Sequence, residues 1–511
     1  MTGPGAEPAA APPGAISRAY RGYALGLLAF INLLNYLDRN VIFALFEPIK
    51  RDLGLSDTQL GWLGSAYILV FSVAALPFGV MSDLRSRRAV IAGGVALWSV
   101  FTFLGGLVRS FWQLFTCRAA VGIGEAAFGP AASSLVADYF PGKGRAGAMG
   151  VLASGIALGG VLGIGLGGVL EASYGWRVAF LAVGLPGLFC ALLAARLVDP
   201  TRAPTRLTFR AYLRTLEGGL TALWKEFGFT LLGVVTGALV AYVLDQVYGA
   251  TSRLDVAAFG AAVGIGLALD IVRWVRLAHR GEFRRTPFGA GIGGAFDDIV
   301  AAGKRVLDTP TLSFVFVAGA MISFGMNGIV GWGPTFIARE LGLSSSEAAT
   351  LLGKWGLIAG TAGTLAGGAL ADWLRRHTER GRVLMVSLGL MIGGPMAIWL
   401  LTVRDPAIFT PVFFTAFFFL SWYNGPLSAV LFDVVPARVA ATVAGTYLLF
   451  IHLAGDAIAF PLVGALSDRF GIDVAVFVLP SVALLGGLVM LGALRTVGRD
   501  MKRTGGQAPP T

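Results

Sequence analysis

Charged residues fill only 14 % of the 511 positions, against roughly 25 % in an ordinary soluble domain. That scarcity excludes a string of soluble domains, because so much apolar surface could not be hidden from water by a chain of this size. Cysteine is nearly absent. Cys117 and Cys190 both fall inside apolar stretches, so neither a disulfide framework nor a cysteine metal cluster can be assembled, and both read as small buried hydrophobes. The chain has no Gly-x-x-x-x-Gly-Lys-Ser loop, no His-Glu-x-x-His pair and no nucleophile triad, which leaves ATP-driven transport and hydrolysis unsupported and calls for no metal or cofactor. The first 17 residues hold no apolar run, and Arg18 and Arg21 then lead into a full-length apolar stretch. This predicts a disordered tail and a retained first helix, not a cleaved signal peptide.

What is present is grease in long blocks. Hydrophobic residues make up 56 % of the chain, the mean hydropathy is +0.74, and the apolar runs last about 20 to 25 residues, the thickness of a bilayer core. Fourteen spans are expected. Six lie near 23–45, 59–81, 89–109, 112–136, 145–170 and 176–196, and two near 227–249 and 256–278. The last six lie near 312–336, 347–371, 382–402, 409–432, 439–464 and 473–495. The expected organisation is a tail at 1–22, a six-helix bundle at 23–196, a linker with two inserted helices at 197–311, a second six-helix bundle at 312–495 and a tail at 496–511. Lys and Arg gather on one side of these spans, for example Arg85, Arg87, Arg88, Lys143, Arg145 and Arg380. The positive-inside bias therefore places both termini in the cytoplasm of a multi-pass protein of the cell's plasma (inner) membrane. The net charge of +11 belongs to these loops and not to a nucleic-acid partner.

The chain repeats itself. Arg51-Asp52-Leu53-Gly54-Leu55-Ser56 returns 288 positions later as Arg339-Glu340-Leu341-Gly342-Leu343-Ser344. Gly79, Asp83, Arg87 and Arg88 after the second span are echoed by Gly368, Asp372, Arg375 and Arg376. Pro141 and Gly150 recur as Pro436 and Gly445, and Gly168 and Gly175 as Gly464 and Gly471. Offsets that keep their order imply two halves related as parallel repeats about an axis along the membrane normal.

A six-plus-six repeat with Gly-x-x-x-Asp-x-x-x-Arg-Arg after the second span, echoed in the second half, resembles the major facilitator superfamily. Two further segments resemble the Spinster family: Asn35-Tyr36-Leu37-Asp38-Arg39, and Arg118 through Gly122, Gly124, Glu125 and Ala126 to Pro130, Ser134, Asp138 and Phe140-Pro141. The resemblance implies an all-α major facilitator fold and proton-linked movement of lysophospholipids or sphingosine phosphate. It also points to Asp38, Arg118 and Glu125 as the coupling residues.

Ionisable groups inside a membrane are rare and costly, which makes each one a functional candidate. Asp38 and Arg39 sit about two-thirds through the first span. If Asp38 faces a cavity, it can exchange a proton as its surroundings change from apolar to Arg-lined; otherwise it is an ion pair at a helix end. Arg118 and Glu125 are seven apart, two helical turns, so they share a face and need partners from another helix. Arg118 is expected to pair with ionised Asp38 or Glu125 in one state and to be released by protonation; the alternative is a fixed structural cluster. Asn35, Arg39, Asn327, Lys354, His452 and Asp456 are the candidate substrate contacts. His452 and Asp456 share a helical face, and Lys354 suits a phosphate or carboxylate, or else pairs with Asp456. Gly79, Asp83, Arg87, Arg88, Asp372 and Arg375 are expected to form conformational latches at the ends of neighbouring helices. Gly159, Gly163 and Gly167 put small residues on one stripe, which close helix packing explains.

The expected function is secondary active transport by proton-driven alternating access, with no enzymatic step. The substrate is an amphipathic anionic lipid, by the resemblance and by the aromatic run Phe413, Phe414, Phe417, Phe418, Phe419, Trp422 and Tyr423, which packing or lipid contact explains equally well. The alternatives are a proton-coupled carrier of small organic anions and a non-transporting membrane sensor with the same fold. The expected partners are the substrate, protons and the bilayer, with the chain acting as a monomer.

Overall fold

The computed structural model describes residues 16–84, 86–200, 287–436 and 439–505, with scattered positions between 224 and 276. Among them the regular structure is helical. The first half comprises α1 (Arg18–Ala44), the short α2 (Phe46–Leu53), α3 (Asp57–Leu84), α4 (Arg87–Gly105), α5 (Phe111–Tyr139), α6 (Arg145–Tyr174) and α7 (Trp176–Ala194). The linker contributes α8 (Pro287–Asp308). The second half comprises α9 (Pro310–Glu340), α10 (Ser345–Arg375), α11 (Gly381–Leu400), α12 (Pro406–Asp433), α13 (Ala440–Phe470) and α14 (Ile472–Arg495), followed by α15 (Val497–Gly505). Eleven of these helices are long and apolar enough to cross a membrane. The Lys354-bearing α10 completes the second set of six. The two spans expected at 227–249 and 256–278 lie mostly outside the described residues, although Thr230 donates from its N–H (2.7 Å) and hydroxyl (2.8 Å) to Asp270 across that insertion.

Helix starts follow from local chemistry. Ser17 and Ser110 accept hydrogen bonds from the N–H groups of Tyr20 and Gln113, and Ser344 forms a reciprocal capping box with Glu347. Each satisfies a donor that the first helical turn leaves without a partner. The repeat explains the stops. Gly54 and Gly342 hold φ of 65° and 69°, and Gly175 and Gly471 hold 82° and 90°. Both pairs occupy equivalent places in the two halves where the chain must turn through a region that L-residues rarely adopt.

Small residues set the helix crossings. A Cβ on Gly155, Gly159 or Gly163 would run into the α1 backbone around Leu33 and Leu37, so the α6 stripe brings those two helices into backbone contact. The halves join by a symmetric pair of such contacts. Gly168 of α6 meets Ser346 and Ala349 of α10, and its repeat partner Gly464 of α13 meets Asp57 and Thr58 of α3.

Three hydrophobic clusters report how the halves sit. One, including Val41, Phe46, Leu60, Trp332, Phe336 and Phe460, is shared by both halves at the end away from the termini. At the terminal end each half keeps its own, around Leu28, Val95 and Leu135 in the first and Leu312, Leu390 and Leu431 in the second. Joined at one end and separately packed at the other, the bundle has the form of a V opening toward the terminal side.

Several boundaries differ from those expected. The first helix begins at Arg18 rather than after residue 22, because Ser17 supplies its cap. Within the linker, α8 packs against α3 of one half and α13 of the other. Part of the expected tail folds as well: Asp500 of α15 accepts from the Thr311 N–H (3.1 Å) and hydroxyl (2.7 Å).

Candidate functional site

The charged residues of α1 and α5 pair in a crossed pattern. Asp38 Oδ1 accepts from Arg118 Nη1 at 2.9 Å, and Glu125 Oε2 accepts from Arg39 Nε at 2.5 Å. Adjacent residues on α1 thus meet residues two turns apart on α5. The second oxygen of Asp38 accepts from the Thr102 hydroxyl of α4. All four charged side chains are buried, Asp38 and Arg118 at 2 % and 1 % exposure. Aromatic rings enclose them: the Arg39 guanidinium lies 4.6 Å from the Tyr36 ring and 4.5 Å from that of Phe71, and Tyr67 lies 5.5 Å from both arginines. Cation–π contact of this kind holds a guanidinium in a site where water does not.

The pairing leaves hydrogen-bonding capacity over. Arg118 Nε and Nη2, Glu125 Oε1 and Asn35 Nδ2 are buried without a hydrogen-bond partner among the described residues. Buried polar atoms usually have partners, so four unsatisfied atoms in one cluster mark a place able to receive a polar group.

The second half contributes a smaller polar cluster. Asp456 accepts from the Ser323 hydroxyl and from Asn327 Nδ2 at 3.0 Å, and its other oxygen lies 2.7 Å from His452 Nδ1. His452 to Asp456 form one widened, π-helical turn in α13, a distortion often found at functional sites. The His452 ring stands edge-on to Phe71, 6.5 Å between centroids, so the two clusters face each other across the junction of the halves. Lys354 belongs to neither. It is exposed, over the Trp355 ring at 5.0 Å, and it does not pair with Asp456.

At the end away from the termini, the halves are tied by a network that sequence reasoning missed. Arg339 donates to Glu47 (2.7 Å) and to both oxygens of Asp57 (2.7 and 2.8 Å). Asp57 also takes Lys50 (2.6 Å) and the Ser467 hydroxyl (2.5 Å), and Asp468 accepts from Asp57 N–H and Thr58 N–H. The hydrogen bonds and ion pairs that join the halves between described residues lie in this half of the bundle.

The expected latches are ion clusters inside each half. Arg87 binds Asp138 (2.7 Å), Asp199 (2.8 Å) and the Ser134 hydroxyl (2.8 Å), tying α4 to the end of α5 and the start of the linker. Arg88 reaches the Leu197 carbonyl at 3.4 Å. In the second half Asp372 is held by Arg382 at 3.0 Å, and Arg382 also grips Asp433 at 2.7 Å. Arg375, expected in that role, instead points to Met501 Sδ at 3.9 Å. The reason is register: Arg87 and Asp138 recur as Arg382 and Asp433, both 295 positions on, because the second loop is six residues longer. Gly79 has open space around its Cβ direction, and the Asp83 side chain lies outside the described residues. The aromatic run of α12 is largely packing, since Phe413 is buried and Phe417 lies 3.2 Å from the Cβ position of Gly360.

Comparison with known proteins fits this architecture. The Major Facilitator Superfamily family model matches residues 28–455. An MFS-type efflux pump of Mycolicibacterium smegmatis is 39 % identical over 176 residues, 34 % of this chain and 41 % of that protein. Protein spinster of Drosophila melanogaster is 28 % identical over 246 residues, 46 % of this chain and 41 % of that protein. The alignments thus span about two-fifths of either relative's length. Protein spinster homolog 3 of Danio rerio is 24 % identical over 99 % of this chain and 92 % of its own. A crystal structure of a bacterial homologue of the human lysosomal transporter Spinster, inward-facing and unoccupied, superposes with a TM-score of 0.67 at 22 % identity, covering 97 % of this chain and all of that one.

Proposed function

We propose, from the premise that this chain belongs to the Major Facilitator Superfamily, that it is a Spinster-like secondary transporter that carries an amphipathic anionic lipid by proton-driven alternating access. A lysophospholipid or sphingoid phosphate fits best. The observation that carries this reading is the buried Arg118–Asp38 pair with Arg118 Nε and Nη2 left unsatisfied beside it. A neutralised Asp38 no longer holds Arg118, and the freed guanidinium has the planar, multidentate donor set that suits a phosphate. Thr102 positions the Asp38 carboxyl, and Glu125 keeps Arg39 occupied, so a single proton changes the charge available to substrate. Tyr36, Tyr67 and Phe71 supply apolar surface beside that charge. His452, Asp456 and Asn327 complete the site from the opposite half and close on it when the halves rock.

The V-shaped arrangement, joined through Arg339, is the state open to the terminal side; the positive-inside bias makes that the cytoplasm of a plasma (inner) membrane. Alternating access then requires the Arg339 network to break while the terminal ends of the halves meet.

The decisive experiment is flux into proteoliposomes under an imposed pH gradient, with a labelled lysophospholipid and a labelled sugar acid run in parallel. Lysolipid accumulation by the natural protein, abolished in Asp38→Asn while lysolipid binding persists, is the expected result. Accumulation of the sugar acid alone would move the assignment to small organic anions. Undiminished accumulation by Asp38→Asn would remove Asp38 as the proton carrier.

A further inference from the structure

We propose that a basic pocket at the terminal end of the second half binds the phosphate-bearing headgroup of an anionic phospholipid of the surrounding leaflet, as a site separate from the transport pathway. The pocket, about 580 Å³, is walled by Arg380 from the α10–α11 turn and by Arg495, Arg499, Lys502 and Arg503 from the last helices, with Glu379 as its one acidic wall residue. Five cations therefore converge on one space. Only Arg499 has an ion-pair partner, Asp500 at 3.4 Å, and the remaining four cations have no carboxylate within 4 Å among the described residues.

Charge bias alone would scatter basic residues over the membrane-facing loops; here the fold gathers and fixes them. Arg499, Lys502 and Arg503 lie at three- and four-residue spacing, hence on one face of α15. The opposite face is anchored: Val497 is buried, Met501 packs into the second-half core, and Asp500 takes two hydrogen bonds from Thr311. The helix is held as a rigid rail. The Glu379 carboxylate lies against the backbone of Gly498, 2.6 Å from where a Cβ would stand, which docks the turn carrying Arg380 on the rail. Like charges held this close repel until an anion enters.

The level of the pocket selects a lipid. Trp373, 57 % exposed and in ring contact with His377 at 5.0 Å, sits in the last turn of α10, seven residues before Arg380. An exposed Trp at a helix end marks the headgroup layer, and a cationic pocket at that depth recognises anionic headgroups. A soluble phosphate would meet the same cations without using this placement, so the two sources can be told apart.

The test uses the full chain purified in a neutral detergent. Thermal stability and lipid retention in native mass spectrometry are read with dioleoylphosphatidylglycerol, dioleoylphosphatidylcholine or glycerol 3-phosphate added. Phosphatidylglycerol should stabilise and be retained, phosphatidylcholine and glycerol 3-phosphate should not. R499Q/K502Q/R503Q should weaken the phosphatidylglycerol affinity roughly a hundredfold, from about a fivefold loss for each of the three cations near an anionic headgroup. The charge-matched R18Q/R145Q/R376Q, outside the pocket, should leave it unchanged. Should the triple variant misfold, R380E on the other wall must give the same selective loss. Equal loss in the charge-matched control, equal stabilisation by glycerol 3-phosphate, or full retention of phosphatidylglycerol by the pocket variants would each overturn the proposal.

Discussion

Replacing Arg339 by Gln should shift the balance between the two ways in which the halves can close. The guanidinium donates to Glu47 and Asp57 across the junction of the halves, and the three side chains are 23 %, 10 % and 3 % exposed. After the change Asp57 still has Lys50 and Ser467, but Glu47 keeps only Arg51, 3.9 Å away and largely in water. Removing one member of a buried, hydrogen-bonded charge pair costs roughly 2–5 kcal/mol. Since Arg339 is about a quarter exposed, the lower part of that range applies, about 2.8 kcal/mol or roughly a hundredfold in the equilibrium. That penalty falls only on the state in which the halves touch at this end, because Glu47 and Asp57 meet solvent once they part. A protein held 99:1 in the closed-outside state would move to about 1:1. Spin labels on Leu107 and Val474, both exposed beyond this end of opposite halves, report it, and the two buried natural cysteines, Cys117 and Cys190, are replaced by Ala first. Double electron–electron resonance in nanodiscs should then show a second, longer distance in Arg339→Gln. An unchanged single distance would refute the role given to the network.

The paired charges predict a double-mutant pattern. Arg118→Leu alone strands Asp38 at 2 % exposure and should lose about 3–5 kcal/mol, visible as a large fall in melting temperature; adding Asp38→Leu should recover much of it. Gly159→Val should fail to fold stably, because its Cβ would stand 2.8 Å from that of Tyr36. Gly129→Ala, in open space within α5, should be neutral or raise stability by up to about 1 kcal/mol; thermal unfolding by intrinsic fluorescence distinguishes them. Arg87→Gln should destabilise more than Arg382→Gln in the same assay. Arg87 and its partner Asp199 are 8 % and 3 % exposed, whereas Arg382 and Asp433 are 24 % and 20 %, and ion pairs weaken with exposure.

Much of this molecule was legible because bilayer physics and duplication write themselves plainly into a chain. Spans show as apolar length, and the halves show as ordered repeats such as Gly54/Gly342 and Gly175/Gly471, which the structure explains by their positive φ. Asp38, Arg118 and Glu125 stood out because a charge among leucines has few ordinary explanations. Their crossed pairing did not, since it depends on how α1 lies against α5. Thr102 and Ser323 gave no signal, as a hydroxyl can be satisfied by its own helix. Asp57 belonged to none of the motifs, and Arg339 looked like an echo of Arg51; only the packing of two distant helix ends made them a junction.

The repeat also separates framework from specialised chemistry. The Arg87–Asp138 cluster survives 295 positions later as Arg382–Asp433, serving the same tie between neighbouring helices in each half. At that same offset Arg118 becomes Phe413, Glu125 becomes Leu420 and Thr102 becomes Ala397. At the 288 offset of the first helices, Asn35, Asp38 and Arg39 become Ser323, Met326 and Asn327. The Arg87–Asp138 tie is therefore duplicated, whereas the arginine–carboxylate pairs of α1 and α5 belong to the first half, the second half placing Asp456 with His452, Ser323 and Asn327 instead. A rigid-body rocking motion needs the first to be symmetric. On the proposed reading, a proton bound at Asp38 changes the charge that the first half offers to the His452–Asp456 cluster, and the difference favours one packing of the halves over the other.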